Sequence, residues 1–345
     1  MPWRCRAGVL LSAALGLLMM MLVGCSDRMR PEAPLPTAVR QAQQQVVTDD
    51  GVRLPLHHWA ADGEAQAIVL GLHGFNEYGG TFKILADALT PQGITVYAYD
   101  QRGFGATAQR GLWPGHARLA DDATQVAERL RERHPETALY LTGHSMGGAV
   151  AILAAAGDAP PPVNGSVLIA PAVWGIEAMP WYQRLGLWLG VHVFPSLRLP
   201  ASIVDRLGIA PTDDAAIERQ LAKDPLILHH SRIDTLHGVS QAMDASLAAA
   251  RRLPPPALIL YGENDQLIPP RAICALLARL PDHSAMRLAL YPQGYHMLTR
   301  DTRRARTLAD IAAWLGDTSA PLPSGQEVDR RQARQALCAP SPTQR

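Results

Sequence analysis

The sequence predicts an α/β fold: a mostly parallel central sheet flanked by helices, with a helical cap inserted above it. Three observations carry this. Short runs at Ala67–Leu72, Ile94–Tyr99, Leu139–Thr142, Ser166–Ala170, Ala257–Tyr261 and Met286–Tyr291 are apolar almost throughout, not alternating, as strands covered on both faces are. Stretches of helical character separate them, the alternation of a parallel sheet. Between Ala170 and Ala257 the rhythm breaks, and helical stretches appear where no core strand does.

In chain order, Gln45 to Ala60 reads as an opening hairpin, with Val46-Val47-Thr48, a turn at Asp49-Asp50-Gly51 and a second strand from Val52 to Trp59. Ala117 to Arg133 is amphipathic at helical spacing. Residues about 173–238 read as the cap, and 45–316 as the whole folded domain. The stretch 317–345, with Arg330, Arg331 and Arg334 but few apolar residues, reads as a polar, disordered tail.

Composition narrows the class. The 345 residues are 48% hydrophobic and 18% charged, ample for a sizeable core. Lys+Arg 32 against Asp+Glu 31 leaves no electrostatic footprint for nucleic acid. Gly and Pro, 28 each, are too scattered for a collagen-like chain. With only four Cys, a disulfide framework is not the main source of stability.

The first 24 residues read as an address. Arg4 and Arg6 precede the uncharged stretch Ala7 to Gly24, whose length lies between a signal-peptide core and a minimal membrane span. Leu22-Val23-Gly24-Cys25 resembles the lipobox of bacterial lipoproteins. That resemblance implies cleavage after residue 24 and lipidation of Cys25, with attachment to the membrane through it. Residues 25–44, with Pro31, Pro34 and Pro36, then form a tether. The expected location is the bacterial cell envelope; Ser26, with Asp27 one place later, favours the outer membrane over the inner by the same resemblance. Of the remaining thiols, Cys274 and Cys338 either pair or stand as a buried thiol and a separate tail thiol.

Leu139-Tyr140-Leu141-Thr142-Gly143-His144-Ser145-Met146-Gly147-Gly148 carries the chemistry. A strand ends in Gly-X-Ser-X-Gly and passes into a helix-forming Ala/Val/Ile stretch, the pattern of a nucleophile elbow. Gly143 and Gly147 let backbones approach where a Cβ would clash. Ser145 is the candidate nucleophile, and the helix behind it favours a developing oxyanion.

A hydroxyl needs a base and an acid. The chain order for such an elbow is Ser, then Asp or Glu, then His. Asp265 follows the Leu258–Tyr261 run and is the candidate acid, with Glu263 the alternative; His296 follows the run ending at Tyr291 and is the candidate base. Backbone N–H groups of Met146 and of Phe75, in the loop His73-Gly74-Phe75-Asn76-Glu77, are the candidate oxyanion donors. No Walker sequence or Gly-X-Gly-X-X-Gly after a strand is present, and His57-His58 and His229-His230 lack ligating partners. Neither a cofactor nor a metal is expected.

His73-Gly74-X-X-Glu77, Asp100-X-Arg102-Gly103-X-Gly105, Gly143-His144-Ser145-Met146-Gly147-Gly148, Gly262-X-X-Asp265 and Tyr295-His296-X-Leu298 occur in this order. Together they resemble the monoacylglycerol lipases and lysophospholipases of the α/β-hydrolase fold, filed beside the S33 aminopeptidases. The resemblance spans about residues 45–316 and includes Asp224-Pro225-Leu226 in the cap. It departs at Tyr78, where the family commonly has His. It implies an α/β-hydrolase fold and a small lipid or ester substrate. Arg102 and its glycines are assigned to loop structure.

The cap segment Ala172–Leu199 carries three of the seven Trp and many aliphatic residues. It can line a greasy wall over Ser145 or bury the cap against the body. The expected function is hydrolysis of monoacylglycerol or lysophospholipid esters through an acyl-enzyme, at a membrane. The alternatives are an aminopeptidase or amidase, for which Asp213, Asp214 and Glu218 would hold the free amine, acyl transfer to another alcohol, and a non-catalytic envelope scaffold.

Overall fold

The computed structural model describes residues 44–202 and 208–338. The leader, Cys25 and nearly all of the tether lie outside the described residues. Nine strands form one sheet in the order β1-β2-β4-β3-β5-β6-β9-β10-β11. The antiparallel pair β1 (Gln44–Val47) and β2 (Arg53–Trp59) opens it, and β2 lies antiparallel on β4 (Ile94–Tyr99). From β4 onward, β3 (Ala67–Leu72), β5 (Ala138–His144), β6 (Gly165–Ile169), β9 (Ala257–Gly262) and β10 (Met286–Tyr291) are parallel.

The apolar runs follow from helices on both faces. Successive residues of β3 serve opposite cores: Ile68, Leu70 and Leu72 one, Ala67 and Val69 the other. The first core is closed by α2 (His116–Arg133), α3 (Met146–Ala155) and α7 (Pro270–Leu277). The second is closed by α1 (Lys83–Leu89) and α8 (Arg304–Gly316). Register places the strand ends together: Leu72 opposes Gly143, and Gly262 opposes Tyr291. The loops bearing Phe75, Ser145, Asp265 and His296 therefore emerge at the carboxyl edge, where open α/β sheets bind ligands.

The expectation of a disordered tail is corrected. β11 (Glu327–Val328) adds an antiparallel strand to β10, and α9 (Arg330–Leu337) packs on α7. The cause is threefold. Asp329 and Gln332 form a capping box, Ala333 and Leu337 are buried, and Cys338 is disulfide-bonded to Cys274 with their Cα atoms 5.3 Å apart. The open question of the two thiols is thus answered by a pair.

The cap holds α4 (Trp181–Val193), α5 (Ala215–Lys223) and a small antiparallel pair, β7 (Arg198–Pro200) with β8 (His230–Arg232). Its last helix, α6 (Ile233–Ala249), runs beyond the expected boundary at 238. It packs on α3 and ends in the core at Ala249, so it joins cap to body as one rod.

Candidate active site

Ser145 sits at the turn from β5 to α3 with φ 53° and ψ −116°, a left-handed conformation that side chains rarely adopt. Backbone hydrogen bonds hold it there: its N–H donates to the Ile169 carbonyl (3.0 Å), and its carbonyl accepts from the N–H groups of Gly148 (2.9 Å), Ala149 (3.2 Å) and Ala172 (2.9 Å). The glycines answer a steric demand. A Cβ at Gly143 would strike the Gly147 carbonyl, and one at Gly147 the Leu72 carbonyl.

The structure brings Asp265 against His296. Asp265 Oδ2 lies 2.7 Å from His296 Nδ1, while Oδ1 accepts the N–H groups of Leu267 (2.8 Å) and Ile268 (2.9 Å). Both side chains are buried. The alternative acid, Glu263, is exposed. With Nδ1 held by the carboxylate, His296 keeps Nε2 as its free ring nitrogen.

Ser145, His296, Phe75 and Met146 line one cavity of about 620 Å³, within the roughly 300–1,000 Å³ of small-molecule sites. Its remaining wall is largely apolar, with Trp174, Met179 and Leu187 from the first part of the cap and Leu228, Val239 and Met243 from the second. The cap's large apolar residues divide unexpectedly. Trp181, Tyr182, Leu185, Trp188, Leu189, Val193 and Phe194 neither line the cavity nor pack on the body; they are exposed on the outer surface, Trp181 to 74%.

A buried polar cluster underlies the site. Glu77 Oε1 accepts from Arg300 Nη2 at 2.6 Å, and Oε2 accepts the Gly74 N–H at 3.2 Å. Arg300 Nη2 also lies 3.3 Å from His144 Nδ1, and His144 Nε2 lies 3.3 Å from the His296 carbonyl. A guanidinium only donates, so Nδ1 accepts and Nε2–H donates, the neutral imidazole. Burial lowers the pKa of His144, in keeping with that form. Burial alone would raise Glu77, but the charge of the Arg300 guanidinium outweighs it and holds the carboxyl well below the usual range.

In the sequence, Glu77 and His144 stand within motifs but carry no assigned role, and Arg300 is missed altogether. Only its position in space beneath the elbow distinguishes Arg300 from a surface arginine. Arg102 is structural as assigned, bonded to Asp122 and Asp50 away from the cavity.

A parallel sheet whose carboxyl edge presents Ser145 on an elbow, with the Asp265–His296 pair at the same edge, defines an α/β-hydrolase. Residues 63–303 match the family model described as serine aminopeptidase, S33. The chain belongs to that family.

It is similar to the monoacylglycerol lipase of Mycolicibacterium smegmatis, 27% identical over 277 residues, covering 77% of this chain and 93% of the relative. It is likewise similar to the monoglyceride lipase of Rattus norvegicus, 28% identical over 302 residues, covering 83% and 95%. Among solved structures, a soluble variant of Saccharomyces cerevisiae monoglyceride lipase in complex with a substrate analog shares the fold. Its TM-score is 0.67 at 23% identity, covering 85% of this chain and 98% of that one. The chain is an enzyme, a serine ester hydrolase.

Proposed function

We propose that this enzyme cleaves carboxylic esters of single-chain lipids, monoacylglycerols or lysophospholipids, through an acyl-enzyme on Ser145. The observation that carries the reading is the apolar cavity with Ser145 and His296 in its wall. The similarity to monoacylglycerol lipases supports the substrate class. His296 Nε2 takes the Ser145 proton as Oγ attacks the ester carbonyl. Met146 and Phe75 N–H groups bind the resulting oxyanion, and Asp265 stabilises the imidazolium. Collapse breaks the ester C–O bond, and the imidazolium returns the proton to the leaving alcohol. Water, deprotonated by His296, then releases the fatty acid and regenerates Ser145.

Among the described residues the aminopeptidase reading lacks a free acid at the cavity. Asp213 is bound by Thr302 and paired with Arg303, while Asp214 caps α5 and pairs with Arg304. Glu218 is exposed, and none of the three lines the cavity. Among the described residues the one lining carboxylate, Glu77, is engaged by Arg300.

We further propose that the enzyme works at a bilayer in the cell envelope, anchored by lipidated Cys25. Two observations support this reading. The Cys274–Cys338 disulfide suits an oxidising compartment. The outer face of the cap is apolar and aromatic, and residues 173–200 hold Arg184, His192 and Arg198 against the single acid Glu177, a pattern suited to an anionic lipid surface.

Hydrolysis of a panel by wild type and Ser145→Ala tests the substrate class. The panel holds long-chain monoacylglycerols, lysophosphatidylcholine, short and long p-nitrophenyl esters and aminoacyl-naphthylamides. Ser145-dependent release of fatty acid from the long-chain lipids is expected. Turnover confined to the aminoacyl amides would overturn the reading.

A further inference from the structure

Two sequence features have no part in the mechanism above: Tyr78, where the resembled family has His, and the cap motif Asp224-Pro225-Leu226. The structure joins them. Tyr78 Oη donates a hydrogen bond to Asp224 Oδ2 at 2.8 Å. Two positions back, Asn76 Nδ2 donates to Ser231 Oγ (2.8 Å), and the Asn76 carbonyl accepts the Leu228 N–H (2.9 Å). A three-residue stretch of the loop that carries Phe75 is thus tied by three hydrogen bonds to cap residues 224–231.

These ties act next to the reacting centre. Asn76, directly after Phe75, stands at φ 64°, a left-handed conformation that asparagine tolerates. The turn that presents the Phe75 N–H is closed by Glu77 N–H on the Gly74 carbonyl (3.1 Å). From below, Glu77 fixes that turn to Arg300 and hence to the body. From above, Asn76 and Tyr78 fix it to the cap. The Phe75 N–H lies between the two grips, and Leu228, one of the tied cap residues, lines the cavity itself.

We propose that Tyr78 and Asp224 are positioning residues for ester hydrolysis. Their hydrogen bond couples the placement of the cap to that of the Phe75 N–H in the oxyanion hole. The inference rests on the hydrolase reading above. It assigns the cap a part in transition-state stabilisation as well as in holding the acyl chain, so loosening the cap slows the chemical step.

The test compares wild type, Tyr78→Phe, Asp224→Ala and Asp224→Asn on a long-chain monoacylglycerol and on p-nitrophenyl acetate, which is too short to need the cap wall. Loss of one hydrogen bond to a charged partner that orients the donor should lower kcat about three- to tenfold in Tyr78→Phe and Asp224→Ala. The fall should be similar on both esters, with KM little changed. Asp224→Asn should recover most of the rate: its oxygen keeps the Leu226 N–H that Asp224 Oδ1 accepts at 2.9 Å, and its amide donates to Tyr78 Oη. Rates within twofold of wild type in both loss variants would overturn the proposal and leave the hydrolase reading intact. So would a loss seen only in KM for the long-chain ester, or an Asp224→Asn as slow as Asp224→Ala. Absence of ester turnover in wild type would overturn the hydrolase reading and the proposal with it.

Discussion

Glu77→Gln isolates the buried ion pair beneath the catalytic loops. Glu77 and Arg300 are 6% and 4% exposed and 2.6 Å apart, and among the described residues Arg300 Nη1 has no hydrogen-bond partner. Glutamine keeps the shape and one oxygen for the Gly74 N–H, but it leaves a guanidinium buried without its counter-charge. Breaking one side of such a pair costs roughly 3–5 kcal/mol, a large share of a total stability of about 5–15 kcal/mol. Adding Arg300→Met removes the orphaned charge, and the double variant should return to within about 1 kcal/mol of wild type.

The same pair carries a pH signature. The Glu77 carboxyl is held below its ordinary value of 4.5, so its contribution is fully present above that value and is lost as pH falls toward the folded one. His73 and His144 are buried and lowered from 6.5, so stability is also lost as pH falls below 6.5, and more steeply in Glu77→Gln, because the Glu77 charge partly offsets that lowering. Urea unfolding at pH 7, 5 and 4 therefore separates the two effects: the gap between wild type and Glu77→Gln narrows only at the acid end. A cost below about 1 kcal/mol for Glu77→Gln at pH 7, or a double variant as unstable as the sum of the singles, would refute the reasoning.

Cys338→Ser opens a crosslink between residues 64 apart in sequence. The chain-entropy relation gives about 4 kcal/mol, or a fall of about 7 °C in Tm for a domain of this size; an unchanged Tm would put α9 outside the cooperative unit. Asp265→Asn keeps an acceptor for the Leu267 and Ile268 N–H groups but presents the wrong partner to His296. Its kcat should fall roughly 10³- to 10⁴-fold with KM little changed, and a fall under tenfold in steady-state assays would contradict the orienting role. In unlipidated protein, Trp181→Ala with Trp188→Ala should weaken binding to phosphatidylglycerol vesicles by about tenfold or more, given the apolar area removed. Turnover of p-nitrophenyl acetate should be unchanged, and undiminished sedimentation with vesicles would refute the membrane-facing role of the cap.

The sheet is legible in the sequence because burial on both faces leaves an unmistakable trace. β3, β4 and β10 begin and end where their apolar runs do. The loops of the candidate site are legible for a related reason: each follows such a run, so position after a strand singles out Asp265 and His296 among many acids and histidines. The tail misleads because its composition hides local chemistry. Its stability lies in a capping box at Asp329 and Gln332, two small buried faces and one disulfide, none of which makes the segment apolar as a whole. The cap residues are ambiguous because α4 is apolar nearly all round. Periodicity does not say that Leu187 turns into the cavity while its neighbour Trp188 turns to solvent. Arg300 gives no signal, since its partner Glu77 is 223 residues away in sequence.

The central claim is that Ser145 is a nucleophile driven by His296 within an acyl-binding cavity. Intact-protein and peptide mass spectrometry after reaction with a long-chain alkyl fluorophosphonate tests it most directly. The account predicts one adduct, on Ser145, absent in Ser145→Ala and formed far more slowly in His296→Ala. No adduct on wild type, or an adduct that persists in Ser145→Ala, would contradict it.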